Sequence, residues 1–462
     1  MTGFRTGGRL ALLLVATITL ASCGGGGSID NELSLRIIQA SPDAPLVNFL
    51  IDGVRVRQLV NYRGGYGSIF VTPGTYDLAV EAILPGVDEL IVPTTARPLS
   101  AAKDYTFIVI GKDADDSVQL MEFESPIETV PAGNVRVQVA HAAPDVAPVA
   151  VYLTAPGDIL SAATPVALAT YGNAPDARQL VPAGTYVISV TPVGMPETVL
   201  FESPEITLQS GRDLLLVAVA NTTTGTDSVP ISLVVNELRS TTDILDNDLP
   251  SDLRVVHVSP DAPALDVVGD RATEGAADVP FASGLTYLGN TGYISAPPDS
   301  YTVNGAATAE PETVIFSFAR ILFAGQKATA LAIGLLSTIN DLVLVDDIRS
   351  VYAEGRLRIV NAAPGSGVVD VYILESGTPI ESADSGVFNF GLGGATAHLG
   401  YEPGNYTVTF TEAGDKTMVL ATAEVAATAG TVQTAILVDA VRVDENSDGK
   451  PASVLLIDDL AG

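Results

Sequence analysis

One cysteine, no tryptophan and three histidines stand in a chain of 462 residues. A single cysteine excludes an intramolecular disulfide framework. Without tryptophan the chain lacks the ring best suited to broad stacking surfaces, which weakens the case for carbohydrate capture. Basic residues are scarce, 23 against 54 acidic ones, for a net charge of −31. Such a field repels phosphate backbones and anionic lipid surfaces, so nucleic acid is not an expected partner, and the acidity reads as solubility rather than cation storage. Also missing are a Gly-x-Ser-x-Gly elbow, a phosphate-binding glycine loop and a His-Glu-x-x-His pair. The absent nucleophile–base sets argue against an enzyme.

What is present favours strands. Hydrophobic residues make up 47% and charged residues 17%, enough to build cores and far from a disordered composition. Gly (43) and Pro (29) are abundant, and Val and Thr are frequent, which points to many short strands and turns. No stretch beyond the amino-terminal segment keeps a helical period.

That segment has its own logic. Arg5 and Arg9 precede the apolar run from Leu10 to Ala21, too short for a bilayer span of about 20 residues but suited to a signal-peptide core. It ends in Leu20-Ala21-Ser22-Cys23, which resembles the lipobox of bacterial lipoproteins. The resemblance implies cleavage of residues 1–22 and lipidation of Cys23, the first residue of a mature chain of 440. Gly24 to Gly27 make residues 23–32 a flexible tether. Gly24 after the cysteine, in place of Asp, implies passage to the outer membrane where the cell has one.

The rest of the chain repeats itself. Leu253 to Pro263 is an apolar strand run ending in Ser259-Pro260-Asp261-Ala262-Pro263. Earlier copies run from Leu35 through Ser41-Pro42-Asp43-Ala44-Pro45 and from Val137 through Ala143-Pro144-Asp145. A degraded fourth runs from Leu357 through Ala363-Pro364-Gly365. Each copy leads to a Pro-Gly-Thr-Tyr-like corner. Pro42 to Tyr76, Pro144 to Tyr186, Pro260 to Tyr301 and Pro364 to Tyr406 are 34, 42, 41 and 42 residues apart.

Alternation such as Tyr76, Leu78 and Val80 against Asp77 and Ala79 has the period of a strand with one buried face. The expected fold is therefore all-β: four tandem antiparallel β-sandwiches, immunoglobulin-like or prealbumin-like, after a lipoprotein signal peptide. The blocks are 33–131, 132–240, 253–350 and 351–462. Residues 241–252, polar and acidic, read as a linker that groups the blocks two plus two.

The Ser-Pro-Asp-Ala-Pro opening, the tyrosine corner and the closing apolar-acidic strand resemble the repeats of domain-of-unknown-function family 4397, found in bacterial secreted and surface-anchored proteins. The fourth repeat departs from the pattern at Gly365-Ser366-Gly367. The resemblance supports the fold and implies no activity.

Few residues invite chemistry. His141 and His257 share one repeat position, where the other copies place Gln39 and Asn361. A polar group tying down the following turn explains all four, whereas an amide cannot shuttle a proton. His398 has no motif around it. Asp43, Asp145 and Asp261 read as turn residues bonding their own backbone. A sharper alternative joins them with closing acids such as Asp346 and Asp347 in a calcium site. The best local metal candidate is Asp444, Asn446 and Asp448 before Gly449, the start of a calcium-loop pattern. Leu455 stands where that loop needs its bidentate glutamate, and a polar hairpin turn is expected there anyway. Calcium is the one cofactor the sequence raises. The expected protein is lipid-anchored in a bacterial envelope and acts as a non-catalytic interaction or adhesion module toward an envelope or extracellular protein or polysaccharide. The alternative is a structural stalk or accessory subunit.

Overall fold

The computed structural model describes residues 33–173, 178–226, 228–237, 240–440 and 452–461. Cys23 and the loop carrying Asp444, Asn446 and Asp448 lie outside them. In the first block the strands are β1 (Leu33–Gln39), β2 (Val47–Ile51), β3 (Val54–Val60), β4 (Gly65–Val71), β5 (Gly74–Ala82), β6 (Glu89–Leu99), β7 (Lys103–Ile110) and β8 (Gln119–Pro126). They form two sheets, ordered β4-β1-β7-β8 and β3-β2-β5-β6, whose facing side chains make two adjoining core clusters. The same two orders return in the third block (strands 251–345) and the fourth (355–458). In the second block the sixth strand is split into Phe201–Glu202 and Ile206–Leu208. The immunoglobulin arrangement sets ABED against CFG; this order differs from it, which leaves the prealbumin-like of the two expected arrangements.

Pairing is antiparallel except at the centre of one sheet. There β1 runs parallel to β7, as do 134–141 with 213–220, 251–257 with 327–333, and 355–361 with 432–439. A parallel pair needs a long crossover, and the five intervening strands supply it. The opening strands explain their own apolar character: every residue of β1 and of 251–257 is buried. One face fills the sandwich core. The other packs against a neighbouring sandwich, so the run reads as continuous rather than alternating.

That second face groups the blocks two plus two. Ile38, Ile108 and Ile110 of the first block pack with Ala140, Leu215 and Val217 of the second. Val256, Val258 and Leu331 of the third pack with Val360, Ile436 and Val438 of the fourth. The four tyrosine corners are built alike. Tyr76, Tyr186, Tyr301 and Tyr406 donate to the carbonyls of Thr72, Pro182, Pro297 and Glu402, four residues back, at 2.7, 2.8, 2.6 and 2.9 Å.

Two expectations need correction. Residues 241–252 are folded rather than an open linker. Thr241–Ile244 adds an edge strand beside Ile231–Asn236, Leu249 is buried against the second core, and Ser251 already belongs to the next strand. One acid there caps backbone, Asp246 accepting from Glu202 N–H at 2.7 Å and Asp248 N–H at 2.8 Å, while Asp243 pairs with Arg63 and Asp252 with Lys327. Nor are the sandwiches strung out in a row. Arg349, between the third and fourth blocks, donates to the carbonyls of Pro42 (3.1 Å) and Ala44 (2.7 Å) in the first, and Tyr352 N–H donates to Asp43 O. Among the described residues no helix is long and apolar enough to cross a membrane.

Candidate functional site

The repeated polar position sits at the end of each opening strand, fully buried: Gln39, His141, His257 and Asn361. In all four blocks its side chain accepts the N–H of the residue two further on. The acceptors are Gln39 Oε1 (2.8 Å from Ser41 N), His141 Nδ1 (3.3 Å from Ala143 N), His257 Nδ1 (3.3 Å from Ser259 N) and Asn361 Oδ1 (3.2 Å from Ala363 N). Because Nδ1 accepts, the ring hydrogen of each histidine lies on Nε2. His141 Nε2 donates to Val146 O and Ala147 O, both at 3.2 Å, and His257 Nε2 to Pro263 O at 3.0 Å. Asn361 Nδ2 does the same toward Gly367 O at 3.3 Å. Burial holds both histidines below their ordinary pKa, outweighing the carbonyl bonds that favour the charged ring. They are neutral clamps with both nitrogens engaged.

The turn aspartates do something other than bond their own turns. Asp43 accepts Asp113 N–H (2.8 Å) and Ala114 N–H (3.1 Å), at the start of a short 3-10 helix that follows β7. Asp261 accepts Leu336 N–H at 2.6 Å, at the matching helix of the third block. Asp145, with a left-handed φ of 62°, pairs with Lys112 of the first block. In the fourth block the roles reverse: Gly365 N–H donates to the Asp439 carboxylate at 3.1 and 3.2 Å. Beside Asp43, the half-buried Asp113 is pushed up to about 6, by burial first and then by Asp43, Asp116 and Glu89. These carboxylates do not converge with Asp346 and Asp347, and among the described residues no group of three or more His, Cys, Asp or Glu is placed to hold a metal ion.

Asp346 lies instead in a polar centre that sequence reasoning missed. Arg254 and Arg358 sit mid-strand in the third and fourth blocks, 1% and 2% exposed. Each touches the threonine beside it on the parallel partner strand: Arg254 Nη2 to Thr329 Oγ1 at 2.8 Å, Arg358 Nε to Thr434 Oγ1 at 3.1 Å. Each then crosses to the other sandwich. Arg254 Nη2 meets Asp459 Oδ1 at 2.5 Å, and Arg358 Nη1 meets Asp346 Oδ1 at 2.6 Å. The threonines return the bond within their own sandwich, Thr329 to Asp346 and Thr434 to Asp459, both at 2.6 Å. Tyr293 O–H completes Asp346 at 2.7 Å. His398, unexplained by sequence, holds the matching place beside Asp459 at 3.1 Å. Burial pushes the Asp459 carboxyl up, but the His398 bond, the Arg254 charge and Thr434 outweigh it and leave it below the usual range.

Among the described residues the first and second blocks lack this exchange. Arg36 and Arg136 occupy the same strand position, yet in the first block the place of Asp346 is taken by Ser125. Arg136 turns to Glu128 O (2.9 Å) and Asp213 (3.2 Å). The signal was present in the sequence: a basic residue inside each of four apolar strands.

No curated protein shows significant similarity to the chain. Among solved structures, the Bacillus anthracis TIE protein aligns over 83% of this chain and 63% of its own length, at 13% identity and a TM-score of 0.17. The chain thus spans less than two thirds of that protein, and so small a score carries no argument. The profile of the family described as "Domain of unknown function (DUF4397)" matches residues 34–152 and 251–372. Each match starts on the opening strand of one sandwich and ends in the second strand of its partner. With 241 of 462 residues matched, the chain belongs to the DUF4397 family.

Proposed function

We propose that this chain is a lipid-anchored, non-catalytic interaction module of a bacterial envelope. The observation that carries the reading is where its reactive side chains go. His141 and His257 spend both ring nitrogens on turns, Asp43 and Asp261 cap backbone, and Asp346 and Asp459 neutralise buried arginines. Such a chain uses its polar groups to hold a shape and meets its surroundings through an acidic surface, with a net charge of −31. Partners of that surface would be basic or neutral proteins or polysaccharides. The contacts of Arg349 and Tyr352 with the first block fold the chain back on itself and count against an extended stalk.

Cys23→Ser tests the anchor. Wild type should fractionate with membranes and carry acyl chains on Cys23 by mass spectrometry, and the variant should remain an unprocessed, unacylated precursor. Wild type released into the medium without lipid would end the anchoring proposal. Turnover of model ester, glycoside or peptide substrates by the purified chain would end the non-catalytic one.

A further inference from the structure

In the first, third and fourth sandwiches the sixth and eighth strands are the edges of facing sheets, and between them runs a seam. In the first sandwich this seam, between β6 and β8, holds a cavity of about 240 Å³ lined by Leu78, Val92, Thr95, Arg97, Gln119 and Leu120. In the third sandwich the same seam, between 310–322 and 340–345, holds only about 40 Å³.

The strand registers say what fills the difference. Tyr76 pairs with Arg97 and Leu78 with Thr95; Tyr301 pairs with Arg320 and Val303 with Phe318. Thr95 therefore stands where the third sandwich has Phe318. That phenyl ring stacks on Phe316 with centroids 5.1 Å apart, and the Arg320 guanidinium lies 5.8 Å from its centre. Arg320 bridges across the seam to Asp341; Arg97 also bridges to the eighth strand, to Glu122 at 2.8 Å, two residues along from the place of Asp341. The Phe316 ring has room only because Gly305 faces it, since a Cβ there would stand 2.1 Å from the ring. The first sandwich has Val80 in that place and Val92 in place of Phe316, so only the room of the Phe318 ring, where Thr95 stands, is left open. The second and fourth sandwiches put Ile206 and Val425 opposite the corner tyrosine and have no such arginine.

We propose that the seam of the first sandwich is a binding site for a neutral single-ring aromatic ligand of phenol type. The ring takes the place under Arg97 that Phe318 takes under Arg320. The third sandwich is thus its own picture of the occupied state. Arg97 keeps its bridge to Glu122 while its face covers the ring, a cation–π contact. The Thr95 hydroxyl donates to Pro93 O at 3.1 Å, which leaves its lone pairs free to accept a phenolic hydrogen. Glu122 at the mouth and the overall negative charge disfavour an aromatic carboxylate. The site is independent of the anchor and of any macromolecular partner.

Ligand-observed NMR with phenol on the whole chain tests this. Wild type should show a saturable signal with half-saturation on the order of 1 mM, as befits so small a ligand. Thr95→Phe supplies the ring from within and should weaken phenol binding at least tenfold without lowering the melting temperature; Thr95→Leu is a smaller plug with the same expected direction. Arg97→Met should weaken phenol by about two- to fivefold, and benzoate should bind wild type less tightly than phenol. An unsaturable phenol signal on wild type, undiminished binding in both plug variants, or tighter binding of benzoate would overturn the proposal.

Discussion

Removing Asp459 should uncouple the third and fourth sandwiches. Its carboxylate accepts from Arg254, Thr434 and His398 at 2.5, 2.6 and 3.1 Å, and it has no exposed surface. In Asp459→Ala, Arg254 remains charged and 1% exposed, held by Thr329 and the face of the Tyr293 ring but without a carboxylate of its own, with Nη1 already lacking a partner among the described residues. Breaking one side of such a buried pair costs about 3–5 kcal/mol. Replacing both sides behaves differently, because the desolvation of two charges is relieved together: Arg254→Met with Asp459→Leu should fall within about 1–2 kcal/mol of wild type. The two single changes and the double change form a cycle whose coupling energy should therefore be large. Amide hydrogen exchange in strands 251–257 and 432–439 reads it locally, which matters in a chain whose sandwich pairs need not unfold together. A cost below about 1 kcal/mol for Asp459→Ala, or a double variant as damaged as the sum of its parts, would refute the reasoning.

Acid should act on the same interface: the depressed Asp459 contributes stability that is complete above its unfolded pKa and is lost as pH falls through its lower folded value, so exchange there should quicken below about pH 4. Asp113 has the opposite sign. Its raised folded pKa favours the fold only when protonated, so stability falls between about pH 4 and 6, and Asp113→Asn should raise stability by about 1 kcal/mol at pH 7.5 but not at pH 4 in parallel thermal melts. His257→Gln should be tolerated within about 1 kcal/mol, because Gln39 makes the same bond in the first block, whereas His257→Ala leaves the Ser259 amide unpaired at about 1–3 kcal/mol; equal losses in urea unfolding would contradict the clamp. Asp261→Ala should cost about 0.5–2 kcal/mol through the Leu336 amide, with the same value in calcium and in chelator, and a calcium-dependent increment lost in the variant would restore the metal reading.

The strands were legible because their signal is local. Alternation in Tyr76 to Val80, the Pro-Asp turns and the corner tyrosines repeat often enough to imply one fold four times. The histidine position was legible for a related reason: the three kinds of side chain at the four equivalent places share hydrogen-bonding capacity and little else. What stayed hidden is whatever needs two distant segments to meet. Asp43 looked like a turn residue because Asp113, its actual partner, is 70 positions away. The acidic stretch 241–252 looked like a linker because nothing local announces that Leu249 closes the second core or that Asp246 caps Glu202. The arginines were the missed opportunity. Arg36, Arg136, Arg254 and Arg358 each interrupt an otherwise apolar strand, and a charge repeated inside a buried run demands a partner. The reciprocal partners Asp346 and Asp459 could be named only once the sandwiches were seen face to face.

Opening strands buried on both sides carry a consequence for how such a chain is made and how it changes over time. During synthesis from the amino terminus, the first and third sandwiches finish before the neighbour that covers their outer sheet exists. Each then waits with Ile38, Ile108 and Ile110, or Val256, Val258 and Leu331, facing water. A truncation after residue 131 or 350 freezes that state and should yield a species that self-associates, while one after residue 250 removes a whole couple and leaves a finished surface. Gene events should obey the same arithmetic. Relatives of this chain should gain or lose sandwiches by twos, since an odd number always leaves one apolar sheet without its cover.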